Sequence, residues 1–335
     1  MKETMTPRER VLRTLNREKT DRIPWVEIYV QPGMAEQLLG RPVTYPDGVR
    51  LGLEVHEKLS LDNVSYNLRP PIYGEMVTKH GQEMVKTPWL KTMDDVKRLR
   101  DWLPDPSSDQ LYENAYELVR NKGEYAAIAS MRLGVASMYN SMGYEDFIFN
   151  MMDEPELISA ALEVYCDWCS VVLKRVNTMG FDAIVFSEDI AFKDNPMVTR
   201  DQYLEHIYPH AKKVADLAEL PVIYHSDGFY KPLWDIILQY KPKAMANLEP
   251  PKMDIFELKE EYGDRVVLMG NIDLHHTLTR GTVEETVEEV KERLLRVGKG
   301  GGYILASANG LPNYCIPENV LAMNDTLLKY GWYED

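Results

Sequence analysis

Short apolar segments rich in β-branched residues alternate with helical segments along most of this chain. Continuously apolar strands of this length are typical of a parallel sheet that helices cover on both faces. Eight such segments can be counted, and eight strands close a (β/α)8 barrel. The predicted strands are 21–29, 61–67, 125–130, 182–186, 222–224, 244–248, 266–269 and 303–306. We therefore predict an α/β fold of the (β/α)8, or TIM barrel, class, forming a single domain over residues 1–335.

An open, doubly wound sheet is the alternative arrangement of the same elements. It is disfavoured because no Gly-x-Gly-x-x-Gly turn follows the first predicted strand. Between the second and third strands, residues 70–106 are rich in proline, glycine and charge. We expect this stretch to be an irregular insertion at the rim, with a small hairpin at 78–87.

Net charge limits the classes of partner. With 53 acidic and 38 basic residues the formal charge is −15, so neither a nucleic-acid backbone nor an anionic membrane surface is an expected partner. The first ten residues lack the apolar core of a signal peptide, and no apolar run is long enough to cross a bilayer. We expect a cytoplasmic protein. Its three cysteines, an odd number, argue against a disulfide framework.

Polar side chains follow several predicted strands where each strand ends. In a (β/α)8 barrel these carboxyl ends surround the active site. Positions i and i+2 of a strand face the same side, which pairs His225 with Asp227, Asn247 with Glu249, and Asn271 with Asp273. The candidate site residues are Glu188, Asp189, His225, Asp227, Asn247, Glu249, Asn271, Asp273 and Asn309.

The chemistry of these groups indicates the kind of ligand. Asp and Asn after a strand often serve only as turn formers and helix caps, but three such pairs at successive strand ends favour a binding site. Amides and carboxylates with few cations suit a neutral heterocycle that presents N–H donors. Zinc could use Glu188, His225, Asp227 and Cys315. However, no cysteine lies near His225 in the sequence, so we expect no metal.

Five sequence motifs together resemble the uroporphyrinogen decarboxylase superfamily, and the resemblance spans nearly the whole chain. The fold that it implies is a (β/α)8 barrel. Its members include decarboxylases and corrinoid-dependent methyltransferases. The motifs are Thr-Pro-Arg-Glu-Arg-Val-Leu at 6–12 with Asp-Arg-Ile-Pro at 21–24, His-Ser-Asp-Gly at 225–228, Asn-Leu-Glu-Pro at 247–250, Met-Gly-Asn-Ile-Asp at 269–273, and Pro-Glu-Asn at 317–319.

Decarboxylases of this superfamily carry an arginine-rich Arg-Gln-Ala-Gly-Arg segment near the N-terminus, whose cations hold the acidic arms of a porphyrinogen. The corresponding residues here, 28–33, read Ile-Tyr-Val-Gln-Pro-Gly and contain no arginine. A polyanionic tetrapyrrole therefore lacks that clamp, and decarboxylation is the disfavoured alternative.

Thiol-methylating members hold zinc with a His-x-Cys pair and a later cysteine, which convert the acceptor into a thiolate. At the corresponding positions this chain has Asp227 and Asn309. The loss of both sulfurs favours an acceptor that needs no such activation. The chain resembles methylcobalamin:tetrahydrofolate methyltransferases, which implies tetrahydrofolate as the substrate, cobalamin carried by a partner corrinoid protein, and no metal.

The resemblance also suggests roles. We predict His225, Asn247 and Asp227 as the catalytic residues, with His225 bonding the pterin or relaying a proton. The predicted pterin contacts are Asp189, Glu188, Asn247, Glu249, Asn271, Asp273 and Asn309. The rival hypotheses are a zinc-dependent thiol methyltransferase with ligands such as Glu188, His225 and Cys315, and a catalytically silent corrinoid-binding scaffold.

Overall fold

Seven parallel strands form a curled central sheet in the computed structural model, which describes residues 3–43, 53–56, 58–79 and 82–333. They are β1 (Asn63–Asn67), β4 (Ala126–Met131), β5 (Ala183–Ser187), β6 (Val222–His225), β7 (Ala244–Ala246), β8 (Val267–Ile272) and β9 (Tyr303–Ser307). A separate antiparallel hairpin pairs β2 (Gly74–Lys79) with β3 (Gln82–Pro88). Ser187 lies beside His225, and His225 beside Ala246. The carboxyl ends of three strands are therefore level.

An extended but irregular segment, residues 22–30, occupies the eighth position and closes the barrel. Trp25 bridges to Leu305 of β9, and the Trp25 carbonyl accepts a 2.8 Å bond from Asp62 N. The prediction of a regular strand at 21–29 is wrong. Pro24 has no N–H to donate, and Trp25 N donates to the Asp62 carboxylate at 2.8 Å. The Asp62 side chain thus takes the place of a backbone acceptor in the sheet, and the barrel closes through isolated β-bridges.

Small and β-branched side chains fill the interior of the barrel. The helix Pro7–Leu15 packs Val11 and Leu15 against this interior cluster. Its start follows from local sequence, since the Thr6 hydroxyl accepts a 3.1 Å bond from Glu9 N and Pro7 lies in the first turn. The interior residues from the strands and the closing segment are Val26, Ile28, Ala126, Ile128, Ala183, Val185, Ile223, Ala244, Ala246, Val267, Met269, Ile304 and Ala306.

A buried ion network ties the helix Pro7–Leu15 to the closing segment. The Asp62 carboxylate accepts bonds from Arg10 Nη1 at 2.5 Å and from Arg22 Nη1 at 2.8 Å. The Arg10 guanidinium also bonds Asp21 through Nε at 2.7 Å. Both arginines and Asp62 are almost fully buried. Charges this deep are tolerated because each one has an opposite charge in direct contact.

Helices surround the sheet, and some of them begin with side-chain caps. The helices Met93–Trp102 and Val283–Glu292 both begin with capping boxes. In the described ranges, helices of eight residues or more are Pro7–Leu15, Pro32–Leu39, Met93–Trp102, Glu113–Asn121, Val135–Met142, Tyr144–Asp153, Pro155–Val176, Tyr208–Ala215, Ile255–Tyr262, Val283–Glu292 and Pro317–Tyr330. None of the described helices is long and apolar enough to span a bilayer.

The insertion at 70–106 is more regular than predicted. It contains the β2–β3 hairpin and the helix Met93–Trp102, and the turn of the hairpin, residues 80–81, lies outside the described residues. Tyr73, Trp89 and Trp102 pack edge to face, and Leu90 N donates to Ser141 O at 2.9 Å. The aromatic side chains therefore hold the insertion together, and the backbone bond to Ser141 joins it to the helix Val135–Met142.

Candidate active site at the carboxyl ends of the strands

Two acidic side chains flank one histidine where β5 and β6 end. His225 Nε2 lies 3.2 Å from Asp189 Oδ1 and 3.5 Å from Asp227 Oδ1. Asp189 has a φ of 43°, a left-handed conformation that Asp tolerates better than most residues. We call these three residues the Asp–His–Asp cluster. Two of the predicted catalytic residues, His225 and Asp227, are therefore in direct proximity.

The pKa values of the three residues in the Asp–His–Asp cluster are shifted in different directions. Burial disfavours the charged form of every member. At His225 the bond with Asp189 outweighs burial, so the pKa of His225 is raised, and the same contact lowers the pKa of Asp189. Burial and the nearby charge of Asp189 raise the pKa of Asp227 to about 7. The arrangement favours an ion pair between Asp189 and His225 beside a carboxyl group that exchanges protons near neutral pH.

Two asparagines extend the cluster. Asn309 Nδ2 donates to Asp227 Oδ2 at 2.9 Å, and Asn247 Nδ2 donates to the Asn309 carbonyl at 2.5 Å. Asn247 Oδ1 and Asp227 Oδ1 are buried and have no hydrogen-bond partner among the described residues. A buried acceptor without a donor is costly. Both oxygens are therefore candidates for bonds to a ligand.

Glu249 and Asp273 form hydrogen bonds with the loops next to the Asp–His–Asp cluster. Glu249 accepts bonds from Gly228 N at 2.9 Å and His275 Nε2 at 3.0 Å, while Asp273 Oδ1 accepts from His275 N at 2.6 Å. Beside them is a cavity of about 490 Å³, here called the Asn309 cavity. Its lining residues are Asp227, Glu249, Leu274, His275, Thr279, Arg280, Ala308, Asn309 and Tyr314.

Gly228 provides a test of this geometry. Its φ is +74°, and a Cβ there would lie 2.4 Å from the Phe192 carbonyl oxygen. We expect Gly228→Ala to lower the free energy of unfolding by about 2–5 kcal/mol, because it combines a left-handed alanine with overpacking. Gly40→Ala is the matched control, since Gly40 has a φ of +68° and open space around it. Urea denaturation should give Gly40→Ala a loss of about 1–2 kcal/mol. Equal losses in the two variants contradict the close contact.

The structure does not bring the Glu188 side chain to the cluster. Its carboxylate accepts hydrogen bonds from Leu133 N and Ala136 N, where the helix Val135–Met142 begins. Burial raises the pKa of Glu188 to about 7. The two acidic residues after β5 therefore have different roles. Asp189 contacts His225, and Glu188 caps the start of the helix Val135–Met142.

The Asn271 side chain is also bonded to protein atoms. Its Nδ2 donates to Leu248 O at 2.8 Å and Met253 O at 3.3 Å, and its Oδ1 accepts from Arg293 Nε at 3.2 Å. The amide therefore joins β8 to its neighbouring loop and helix, and it does not reach the Asp–His–Asp cluster.

Two arginines at the mouth were not anticipated. Arg69 follows β1 and Arg132 follows β4, and both act electrostatically on Asp189. They contradict the expectation of a site poor in cations. The signal was present in the sequence, because both residues come at or just after strand ends, as the acidic candidates do.

The described residues offer one group of side chains to a metal ion. Asp189, His225 and Asp227 have ligand atoms within 4.8 Å of one another. The zinc set suggested above, with Glu188 and Cys315, is not brought together. Two carboxylates and an imidazole suit a hard divalent cation, whereas a thiolate zinc site needs sulfurs that this cluster lacks. His225 Nε2, moreover, already contacts Asp189.

Comparisons with known proteins agree with the fold. The family model described as Uroporphyrinogen decarboxylase (URO-D) matches residues 75–330. The methylcobamide:CoM methyltransferase MtbA of Methanosarcina acetivorans is 22% identical over 98% of this chain and 99% of its own. MtaA of Methanosarcina barkeri, with the same description, is 22% identical over 95% of this chain and 96% of its own.

A solved methyltransferase from Methanosarcina mazei superimposes with a TM-score of 0.79 at 18% sequence identity, covering 97% of this chain and 99% of the other. This likeness confirms the (β/α)8 barrel. Because the family model covers more than half of the sequence, the chain belongs to the uroporphyrinogen decarboxylase family, and the relatives it matches from end to end are methyltransferases.

Proposed function

We propose that this protein transfers a methyl group from a methyl-corrinoid, carried by a partner protein, to N5 of tetrahydrofolate without the use of zinc. Similarity over nearly the whole length to methylcobamide:CoM methyltransferases supports corrinoid-dependent methyl transfer. The acceptor is argued from this chain's own residues, since the named relatives use CoM.

The residues facing the acceptor differ from those of a thiol-methylating site. The structure pairs Asp227 with Asn309 through a 2.9 Å hydrogen bond, and these are the positions where the resemblance expects sulfur ligands. Without a zinc-bound thiolate, the acceptor must attack with a lone pair that is free at neutral pH. The N5 amine of tetrahydrofolate has one.

The observation that carries the proposal is the pair of buried, unsatisfied acceptors, Asp227 Oδ1 and Asn247 Oδ1. A reduced pterin presents several N–H donors, and its binding would satisfy both oxygens. The adjoining Asn309 cavity of about 490 Å³ is in the range of small-molecule sites, about 300–1,000 Å³.

Proton balance gives Asp227 its role. N5 forms a bond to the methyl group, the methyl–cobalt bond breaks with its electrons remaining on cobalt as Co(I), and the N5 proton must be removed. Asp227 accepts this proton through Oδ1, which receives no hydrogen bond from the described residues. His225, held by Asp189 at 3.2 Å, stabilises the Asp227 carboxylate before transfer. Otherwise the chain contributes positioning.

This role predicts the pH dependence. Only the ionised form of Asp227 accepts a proton, and burial raises the pKa of Asp227 to about 7. The turnover rate should therefore increase as pH rises from about 6 to about 8 and then level off. Stopped-flow absorbance of methylcobalamin at saturating tetrahydrofolate measures the profile. A rate that is constant over this range, or falls, contradicts Asp227 as the acceptor of the proton.

Binding of the pterin is tested directly by calorimetry with tetrahydrofolate, followed by the absorbance change as methylcobalamin loses its methyl group. Asn247→Ala should weaken tetrahydrofolate binding about 10-fold, because it removes one buried hydrogen bond. Asn114→Ala, on the exposed surface of the helix Glu113–Asn121, is the control. Unchanged affinity in Asn247→Ala contradicts the pterin contact.

One rival function has an observation in its favour. The relatives methylate CoM, and the Asp–His–Asp cluster offers a metal three ligand atoms. Metal analysis of the purified protein, together with methyl transfer to CoM before and after chelation, separates this alternative from ours. The rival function is supported if the protein contains one metal ion per chain and if chelation abolishes methyl transfer to CoM.

A further inference from the structure

Arg69 and Arg132 form a pair of cations at the barrel mouth, on the side of β1 and β4. Arg69 Nη2 donates to the hydroxyls of Ser130 at 2.6 Å and Ser187 at 2.8 Å. Arg132 Nη1 donates to Ser137 Oγ at 3.0 Å. These side-chain partners are neutral hydroxyls. We call the two residues the arginine pair.

The arginine pair is not neutralised by direct contacts. In the part of the chain that the structure describes, neither guanidinium lies within 4.0 Å of a carboxylate, and the buried Arg132 Nε has no hydrogen-bond partner. Burial and the charge of Arg132 lower the pKa of Arg69 to about 10. The Asp189 and Glu188 carboxylates oppose this shift without directly contacting Arg69, so an anion in direct contact with both guanidinium groups would stabilise the pair further.

An open space adjoins Arg69. Arg69 lines a cavity of about 420 Å³, here called the Arg69 cavity, together with Asn63, Ser130 and Tyr29. The Tyr29 ring also packs against Gly310, next to Asn309 of the other cavity. A ligand with its reacting atom at Asp227 could therefore extend past Tyr29 towards the arginines.

We propose that the arginine pair binds an oxyanion carried by the methyl acceptor, away from its reacting atom. Guanidinium groups bind carboxylates and sulfonates through paired N–H donors. The proposal rests on the proposed function for the choice of acceptor. The anion is a carboxylate of the glutamate tail if the acceptor is tetrahydrofolate, and the sulfonate if the acceptor is CoM.

The test compares acceptors with and without the anion. Tetrahydrofolate is paired with 6-methyltetrahydropterin, and CoM with ethanethiol, each with methylcobalamin as donor. In the pair that the protein methylates, Arg69→Gln should raise KM for the acceptor that carries the anion by about 10- to 100-fold. The KM for the acceptor without the anion should change by no more than about twofold. Arg69→Lys, which keeps the charge, should recover part of the loss. Arg120→Gln is the matched control, because Arg120 is exposed at the end of a helix that leads into the opposite end of the barrel.

The outcomes separate this proposal from the proposed function. A selective effect confined to the thiol pair supports the anion site and overturns tetrahydrofolate as acceptor. Equal losses with and without the anion mean that Arg69 only positions Asp189, and they overturn the anion site. Calorimetry with p-aminobenzoylglutamate and with CoM is independent of turnover. If the wild-type protein binds neither p-aminobenzoylglutamate nor CoM, the anion site is also overturned.

Discussion

Asp227→Asn lowers the rate of methyl transfer to tetrahydrofolate by about 10²- to 10⁴-fold, the range for loss of a positioned acid or base. The amide keeps the size of the side chain and can still accept the 2.9 Å bond from Asn309 Nδ2. What it loses is the capacity to take up the N5 proton. We therefore expect kcat to fall much more than the affinity for tetrahydrofolate, with the pH dependence near 7 abolished.

The measurement is single-turnover absorbance of methylcobalamin at several pH values, with calorimetry to confirm that tetrahydrofolate still binds. Asp235→Asn serves as the control, since Asp235 is exposed and forms an ion pair with Arg200 at the surface. If Asp227→Asn keeps wild-type kcat and its pH profile, proton transfer must use another group. His225 would then be the next candidate, and His225→Gln the corresponding variant.

Asp62→Asn lowers the free energy of unfolding by about 3–5 kcal/mol, the cost of removing one partner from a buried ion network. The variant leaves Arg10 and Arg22 facing each other without the carboxylate that both contact, at 2.5 and 2.8 Å. It also weakens the bond that anchors Trp25 N to Asp62. We expect the urea midpoint to shift strongly downwards.

Asp109→Asn is the matched control, since Asp109 forms an exposed ion pair with Arg175. Exposed pairs contribute about 0–1 kcal/mol. Similar midpoints for the two variants would show that the Asp62 network adds little to stability. Reversibility must be verified by refolding, because a chain of this length can aggregate when unfolded.

Sequence pattern predicted the fold and placed several of the candidate site residues at the same end of the barrel. Buried apolar strands separated by helices indicate a barrel, and parallel strands end on one face of it. This rule alone was sufficient to bring Asp189, His225, Asp227 and Asn309 together. The distances among Asp189, His225 and Asp227 follow from the level ends of β5 and β6, which the register of the sheet determines.

Which way a strand-end side chain faces could not be predicted from the pattern. Glu188 and Asn271 stand at strand ends like their neighbours, yet one caps the helix Val135–Met142 and the other bonds Arg293. Those choices depend on packing partners distant in sequence. The arginine pair was missed for a different reason: the expectation of a site poor in cations left out Arg69 and Arg132, although both follow strands.

The contact between residues 21–23 and residues 331–333 has a consequence for how the protein folds during synthesis. Tyr333 N donates to Asp21 O at 3.0 Å, and Ile23 N donates to Gly331 O at 2.9 Å. The closing segment is thus held by residues that leave the ribosome about 300 positions later. During translation the closing segment cannot pair with β9 until β9 has emerged, so an exposed sheet edge persists over most of synthesis. Chaperone dependence is expected to be greatest in that interval, and linking the two ends in a circular permutant should shorten it.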